Sequence, residues 1–270
     1  MLGQNGLIKL LESYRKDGML PQFLLIEGPK GSGKKMLIKE LWKDAIFMQD
    51  CKVDTVRELN KLVRKQSKKV FVFADADDMS TAAKSALLKI AEEIPNDNII
   101  IITVEVKESM PDTIRSRAFR VLMDRYLPEE LERFYYDTAE NATAEDAEII
   151  KDVCLTPGEV LLLVQQGVQD LYSYVQLVLD NIAEVSGANA FKVASKVSLK
   201  DSQKGYDLQL FWKLFIRSCA YKEEFTVQKK ADGIAITTYV LNDLHNIRGI
   251  NKQMLMDKWI IDIREAWCEK

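Results

Sequence analysis

Two adjacent lysines carry the most chemistry in this chain. Lys34 and Lys35 close the stretch Phe23-Leu-Leu-Ile-Glu-Gly-Pro-Lys-Gly-Ser-Gly-Lys-Lys35. The spacing Gly28-x-x-x-x-Gly33-Lys34 is that of a loop that cradles phosphate groups. Its glycines let successive backbone N–H groups turn inward, and its lysine can reach a terminal phosphate. The candidate binding residues are therefore Gly28, Gly31, Ser32, Gly33, Lys34 and Lys35. The last position departs from the pattern. A Ser or Thr hydroxyl there normally ligates the magnesium that accompanies a nucleoside triphosphate, and Lys35 puts an ammonium in its place. Lys34 has two readings, a phosphate ligand or a solvated residue of a vestigial loop.

A second cluster, Asp75, Asp77 and Asp78, follows the apolar run Val70–Phe73. Phosphate-loop ATPases place an Asp and then a Glu at the end of such a strand, the first for magnesium and the second for the attacking water. Here those places hold Ala74, which coordinates nothing, and Asp75, shorter than Glu by one C–C bond of about 1.5 Å. Asp77 and Asp78 equally suit a solvated turn.

Positioning such groups takes strands that end, and helices that begin, at one edge of a sheet. Leu7, Leu10, Leu11 and Tyr14 mark a helical face before Gly18 and Pro21 break it. Phe23–Glu27 is a short strand, and the pattern predicts a helix from Lys34 to about Phe47 with its N-terminus facing the loop. Residues 52–66 read as a short strand and a helix with Val56, Leu59 and Val63 on one face. Val70–Phe73 and Asn98–Thr103 are unbroken apolar runs, as central parallel strands require. A helix spans 81–94, ended by Pro95. Met110–Arg117 is a short helical segment and Ala118–Leu122 the last strand. The alternation predicts a mainly parallel sheet covered on both faces.

After Arg125 only helices are expected. They cover 128–138, 143–153, Thr156-Pro-Gly158 to Gln166, and a further block from Gln169. Within that block Leu208, Phe211, Trp212, Phe215 and Cys219 share one helical face, and Ile236, Val240, Leu244 and Ile247 share another. Asn251 caps a last helix carrying Met256, Trp259, Ile260, Ile263 and Trp267. Asp201–Gly205 reads as a loop.

At 270 residues the chain can bury two or three cores. Its 38 basic and 41 acidic residues leave a formal charge of −3, which demands no nucleic-acid partner overall. Lys61, Arg64, Lys65, Lys68 and Lys69 form a local basic run, suited to a solvated helix face or to DNA phosphates. No apolar run is long enough to span a bilayer, and the N-terminus lacks the layout of a secretory signal. Cys51, Cys154, Cys219 and Cys268 have no paired spacing, so zinc is not expected, and thiols of this kind fit a reducing cytoplasm. His245 reads as a polar helix position.

The ordered set of motifs resembles clamp-loader subunits of the AAA+ superfamily, most closely the delta-prime group of bacterial DNA polymerase III. Gly3-Gln4 resembles its N-terminal box, and Ala86-Leu-Leu-Lys89 with Glu92-Glu93 its Ala-Leu-Leu-Lys-x-x-Glu-Glu helix. Thr113-Ile-Arg-Ser-Arg117 resembles the start of its Ser-Arg-Cys motif, with Ala118 replacing Cys. Thr156-Pro-Gly158 resembles the turn of its lid domain, and Gly249-Ile-Asn251 its collar. The resemblance implies an α/β AAA+ phosphate-loop domain (1–124), a helical lid (125–168) and a helical oligomerisation collar (169–270). It implies ATP or ADP as the loop's ligand. Its implied partners are the tau/gamma ATPase subunits and the delta subunit, with the sliding clamp and primer-template DNA reached through the complex and no membrane involved.

The departures bear on activity. Besides Lys35 and Ala74, Val104-Glu105 stands where a polar sensing residue is usual, and Glu159 where ATPase members carry an Arg after the lid glycine. Metal positioning and charge neutralisation supply most of the catalysis in phosphoryl transfer. An efficient intrinsic ATPase is therefore not expected, and the resemblance implies a stator-like component of the polymerase holoenzyme. It also gives Arg117 the role of an arginine finger, acting in trans on a neighbour's ATP site, where composition alone would make Arg115, Arg117 and Arg120 surface ion pairs. The rival expectations are an active AAA+ ATPase with an unusual magnesium site and a small-molecule phosphate-loop kinase.

Overall fold

The computed structural model describes residues 3–184, 187–194, 197–198, 205–247 and 249–268. The chain divides into two compact units, residues 1–130 with 155–158 and residues 131–154 with 159–270.

The first unit is a sheet between two layers of helices. Its elements are α1 (Asn5–Lys16), β1 (Phe23–Glu27), α2 (Lys34–Leu41), β2 (Ile46–Phe47), α3 (Val53–Lys65), β3 (Val70–Phe73), α4 (Thr81–Ala91), β4 (Ile99–Val104), α5 (Asp112–Arg115) and β5 (Phe119–Leu122). The five strands run in the order β2-β3-β4-β1-β5, and every neighbouring pair is parallel. All five residues of β1 are buried, as a central strand covered on both faces must be. Alternation sends Leu24 and Ile26 to the side packed by Leu11 of α1 and by Leu37, Ile38 and Leu41 of α2. Phe23 and Leu25 face Val56, Leu59 and Val63 of α3, Leu87 and Ile90 of α4, and Ile114 of α5. The connection after β1 thus lies on one face and the later ones on the other. Such a reversal opens a crevice at the carboxyl ends of the strands, where ligands bind in open α/β sheets.

Local chemistry explains most boundaries. Ser80 caps α4, its Oγ accepting from the Ala83 N–H at 3.2 Å. Asn98 is fully buried just before β4. Its Nδ2 donates to the Val63, Gln66 and Pro95 carbonyls at 2.8, 2.9 and 2.8 Å, and its Oδ1 accepts from the Lys69 N–H at 2.9 Å. One carboxamide thereby joins the end of α3, the start of β3 and the start of β4.

Two expectations need correction. The helix after the loop ends at Leu41, because Trp42 leaves helical geometry (φ −132°, ψ 87°) and buries its ring against the α1/α2 side of the sheet. Ile46 and Phe47 then pair with Phe71 and Val72 as the edge strand. That strand precedes the region 52–66, which holds only α3. A two-residue strand whose Ile46 falls eight residues after Ile38, a helical spacing, is invisible to periodicity.

The second unit contains most of α6 (Pro128–Thr138), all of α7 (Ala144–Val153) and α8 (Pro157–Gln166) from Glu159 onward. It continues through α9 (Val168–Asn181), α10 (Gly187–Val193), α11 (Leu208–Tyr221), α12 (Val227–Asn246) and α13 (Lys252–Cys268). A two-stranded parallel pair, β6 (Val197–Ser198) with β7 (Tyr206–Asp207), interrupts the expected all-helical run. Apart from Gly205, the loop expected at 201–205 lies outside the described residues. The core is aromatic. Trp259 stands edge-on to Phe215 with ring centres 4.8 Å apart, and its Nε1 donates to Thr237 Oγ1 at 2.9 Å. Asn251 caps α13, as the sequence predicts. No helix among the described residues is long and apolar enough to cross a membrane.

Candidate functional site

The phosphate-loop residues stand together at the carboxyl end of β1. The Gly28 N–H donates to the Val104 carbonyl at 3.1 Å, so the loop leaves the sheet beside the end of β4. Gly31 and Gly33 have φ of +79° and +85°, the left-handed region that suits glycine. Gly33 is also the N-cap of α2, with no side chain to occupy the helix N-terminus. A Cβ on Gly31 would lie 2.8 Å from Thr156 Oγ1 and 2.9 Å from Gly158 Cα. The Gly158 N–H in turn donates to the Gly31 carbonyl at 3.0 Å. The Thr156-Pro-Gly158 turn, remote in sequence, is therefore built against the loop. Tyr126 adds a further tie, its hydroxyl donating to the Ser32 carbonyl at 2.8 Å.

The two lysines behave differently. Lys34 is buried, and its Nζ donates to the loop's own Gly28 and Pro29 carbonyls at 2.6 and 3.0 Å. It is not the solvated residue that one reading of the sequence allowed. Burial pushes its pKa down, opposed by the carboxylates of Asp75, Glu105 and Asp77 and reinforced by Lys35. Lys35 reaches the other way, its Nζ lying 2.6 Å from Asp75 Oδ2. Asp75 has φ +55°, and its N–H donates to Thr103 Oγ1 at 2.9 Å, which fixes it at the end of β3. Asp77 is no free turn residue either. Both its oxygens accept from the Glu105 N–H at 3.0 Å.

This arrangement fits a phosphate ligand better than a metal. The loop offers left-handed glycines and an open helix N-terminus. The magnesium side offers an ammonium at 35, a methyl at 74 and a carboxylate already paired. Among the described residues no group of three or more His, Cys, Asp or Glu side chains could hold a metal ion. Cys154 and Cys219 are buried thiols pushed up to about 12, chiefly by burial, and Cys51 is pushed to about 11 by the same cause.

Arg117 is not part of this cluster. It lies just after α5, two residues before Phe119, and Phe119 pairs with Leu24 near the start of β1, whereas Leu122 pairs with Glu27 next to the loop. Parallel register therefore puts Arg117 at the opposite end of the sheet. The five residues of β1 set roughly 15 Å of strand between the two ends. Arg117 Nη1 donates to the Thr113 carbonyl at 3.0 Å, and Nη2 lies 3.4 Å from Glu92 Oε1, with the arginine side chain 40% exposed. Its neighbours are committed. Arg120 pairs with Glu27 at 2.5 Å, and Arg115 pairs with Asp112. In the second unit Glu159 accepts from Lys213 at 2.6 Å and Gln209 at 3.0 Å, a tie between α8 and α11.

Two residues of the site carry more than their sequence signals conveyed. Gln4 is fully buried, donates to the Asp124 carbonyl and accepts from its N–H, both at 3.0 Å, pinning the N-terminus to the segment after β5. The Gly-Gln resemblance singled it out without a role. Tyr126 had no signal at all. The basic run Lys61–Lys69 is exposed, and His245 is an exposed helix residue with Nδ1 2.7 Å from the Leu241 carbonyl.

Residues 43–126 match a family described as "DNA polymerase III, delta subunit". The match covers less than half of the chain, includes Asp75, Glu92 and Arg117, and leaves out the phosphate loop. A gamma-subunit-related DNA polymerase III protein of Thermotoga maritima is similar in fold at 15% identity and TM-score 0.51, covering 95% of this chain and 99% of that one. The RuvB Holliday junction branch migration motor of Thermotoga maritima is similar at 16% identity and TM-score 0.53, covering 94% and 88%. No curated protein matches in sequence. The chain thus shares the fold of these solved structures, and its stretch 43–126 is similar to the DNA polymerase III subunit family.

Proposed function

We propose that the chain is the stator-like delta-prime subunit of a DNA polymerase III clamp loader and that Arg117 serves the ATP site of a neighbouring subunit. The observation that carries this reading is the separation of Arg117 from its own phosphate loop by the length of β1. A guanidinium at that end of the sheet has no phosphate of its own subunit to meet. It is planar, permanently charged and partly exposed, the properties that suit it to the charge developing on a transferred phosphoryl group. The paired and methyl-bearing metal side of the loop, with Lys35, Asp75 and Ala74, supports a subunit that does not itself hydrolyse ATP efficiently.

In this reading residues 125–168 are a lid and 169–270 a collar that holds the subunit in a hetero-oligomeric ring. The ring partners are the tau/gamma ATPase subunits and delta, and the assembly acts in the cytoplasm on the sliding clamp and primer-template DNA. The test is reconstitution with those subunits. The chain is expected to co-purify in a ring, and Arg117→Ala to assemble normally yet lower the clamp- and DNA-stimulated ATP turnover of the ring. Absence from the ring would remove the reading. Magnesium-dependent turnover by the isolated chain, abolished by Lys34→Ala, would establish the rival ATPase instead.

A further inference from the structure

We propose that Lys35 is the resident cation of the phosphate loop, so that the loop takes the phosphate groups of a nucleotide without a divalent metal ion. The inference rests on residues 28–35 forming a phosphate site and is independent of what Arg117 does. Lys35 stands where the metal-binding hydroxyl of such loops stands, and its ammonium lies 2.6 Å from Oδ2 of Asp75, the residue after the Ala74 that replaces the metal's usual carboxylate. The charge a metal would supply is already present as a side chain, and the hydroxyl and carboxylate that would hold a metal are replaced by Lys35 and Ala74.

The pair is also exchangeable. Both side chains are more than half exposed, at 53% and 61%, and an exposed ion pair contributes little. A phosphate oxygen can therefore draw Lys35 from Asp75 and form a charge-assisted hydrogen bond. A second feature points to a ligand. Ser32 Oγ is buried inside the loop with no hydrogen-bond partner, an arrangement proteins usually avoid. The helix N-terminus beside it is capped by Gly33, with no side-chain oxygen in the way. Opposing charge is present and limits affinity. The carboxylates facing Lys34 are Asp75, Glu105 and Asp77, of which Asp75 is held by Lys35 and Asp77 by the Glu105 N–H.

ADP binding to the full chain, measured by calorimetry in excess magnesium and again in EDTA, tests this. The expected dissociation constants agree within about twofold, since no metal contributes to one and not the other. Lys35→Thr is expected to weaken binding in EDTA by about tenfold. Asp75→Asn should tighten it several-fold by releasing Lys35, a gain that misfolding cannot mimic. Binding that requires magnesium, or that Asp75→Asn weakens only when magnesium is present, would overturn the inference by making Asp75 a metal ligand. Absence of ADP binding in both buffers would also overturn it, and would leave the loader reading standing, since that depends on ring assembly and on Arg117.

Discussion

The two ends of one sheet are built on opposite electrostatic plans. At the carboxyl end Lys34, Lys35 and Asp77 are all answered from within. Lys34 is buried on the Gly28 and Pro29 carbonyls, Lys35 is paired with Asp75, and Asp77 is held by the Glu105 N–H. At the amino end Arg117 keeps part of its guanidinium exposed, with a 3.4 Å contact to Glu92 as its one ion pair among the described residues. The first plan is self-contained and the second is open to another molecule. A fold that normally concentrates its chemistry at the strands' carboxyl ends here leaves a partly exposed arginine at the other end.

That difference can be pressed from both sides. The largest stability effect is expected at the amino end. Asn98→Ala removes one buried carboxamide and leaves the Gln66 carbonyl and the Lys69 N–H without the partner it supplied, which should cost about 2–4 kcal/mol in denaturant unfolding. A loss near zero would mean that this end is not rigidly held. Next comes Gly158→Ala at the loop end. Its Cβ would fall 2.5 Å from Gly31 Cα, a backbone contact that cannot swing aside, so about 1–3 kcal/mol should be lost. A neutral result would show that the turn does not brace the loop.

A smaller effect is expected from pH. The folded pKa of Lys34 lies below its ordinary 10.5, so in the window between the two the unfolded chain binds more protons than the folded one. Stability contributed by this group should therefore rise as pH climbs through that window. The difference between wild type and Lys34→Met, measured by unfolding from neutral pH upward, should grow towards pH 10.5. A flat difference would mean that Lys34 is solvated. Smallest of all are Lys35→Ala and Glu92→Gln. Each breaks an exposed pair, and each should shift stability by less than about 0.5 kcal/mol. A large loss from either would contradict the claim that these pairs are exchangeable.

The sequence made the phosphate loop and the apolar strands legible because their signals are local. A glycine spacing and the runs Val70–Phe73 and Ile99–Thr103 need no tertiary information to be read. β2 escaped because Ile46 falls eight residues after Ile38, a helical spacing, and only pairing with Phe71 and Val72 separates strand from helix. Asn98, Gln4 and Tyr126 escaped in a different way. Each acts through hydrogen bonds to segments distant in sequence, as Tyr126 does to Ser32 across 94 positions, and a polar side chain's partner leaves no periodic trace. The same holds for the site. Lys35 was conspicuous as a substitution, but that it neutralises Asp75, while Lys34 folds onto its own loop, follows only from where β3 ends.

The central claim is that the functional arginine faces outward from the end of the sheet remote from the loop. It is tested most directly by ATP turnover of the reconstituted ring at saturating ATP, clamp and primer-template DNA, with wild type, Arg117→Ala and Arg117→Lys compared in rings of equal composition. Both variants are expected to lose at least about tenfold, the lysine included, because a point charge cannot replace a planar guanidinium at a phosphoryl group. Turnover unchanged in fully assembled Arg117→Ala rings would contradict the account.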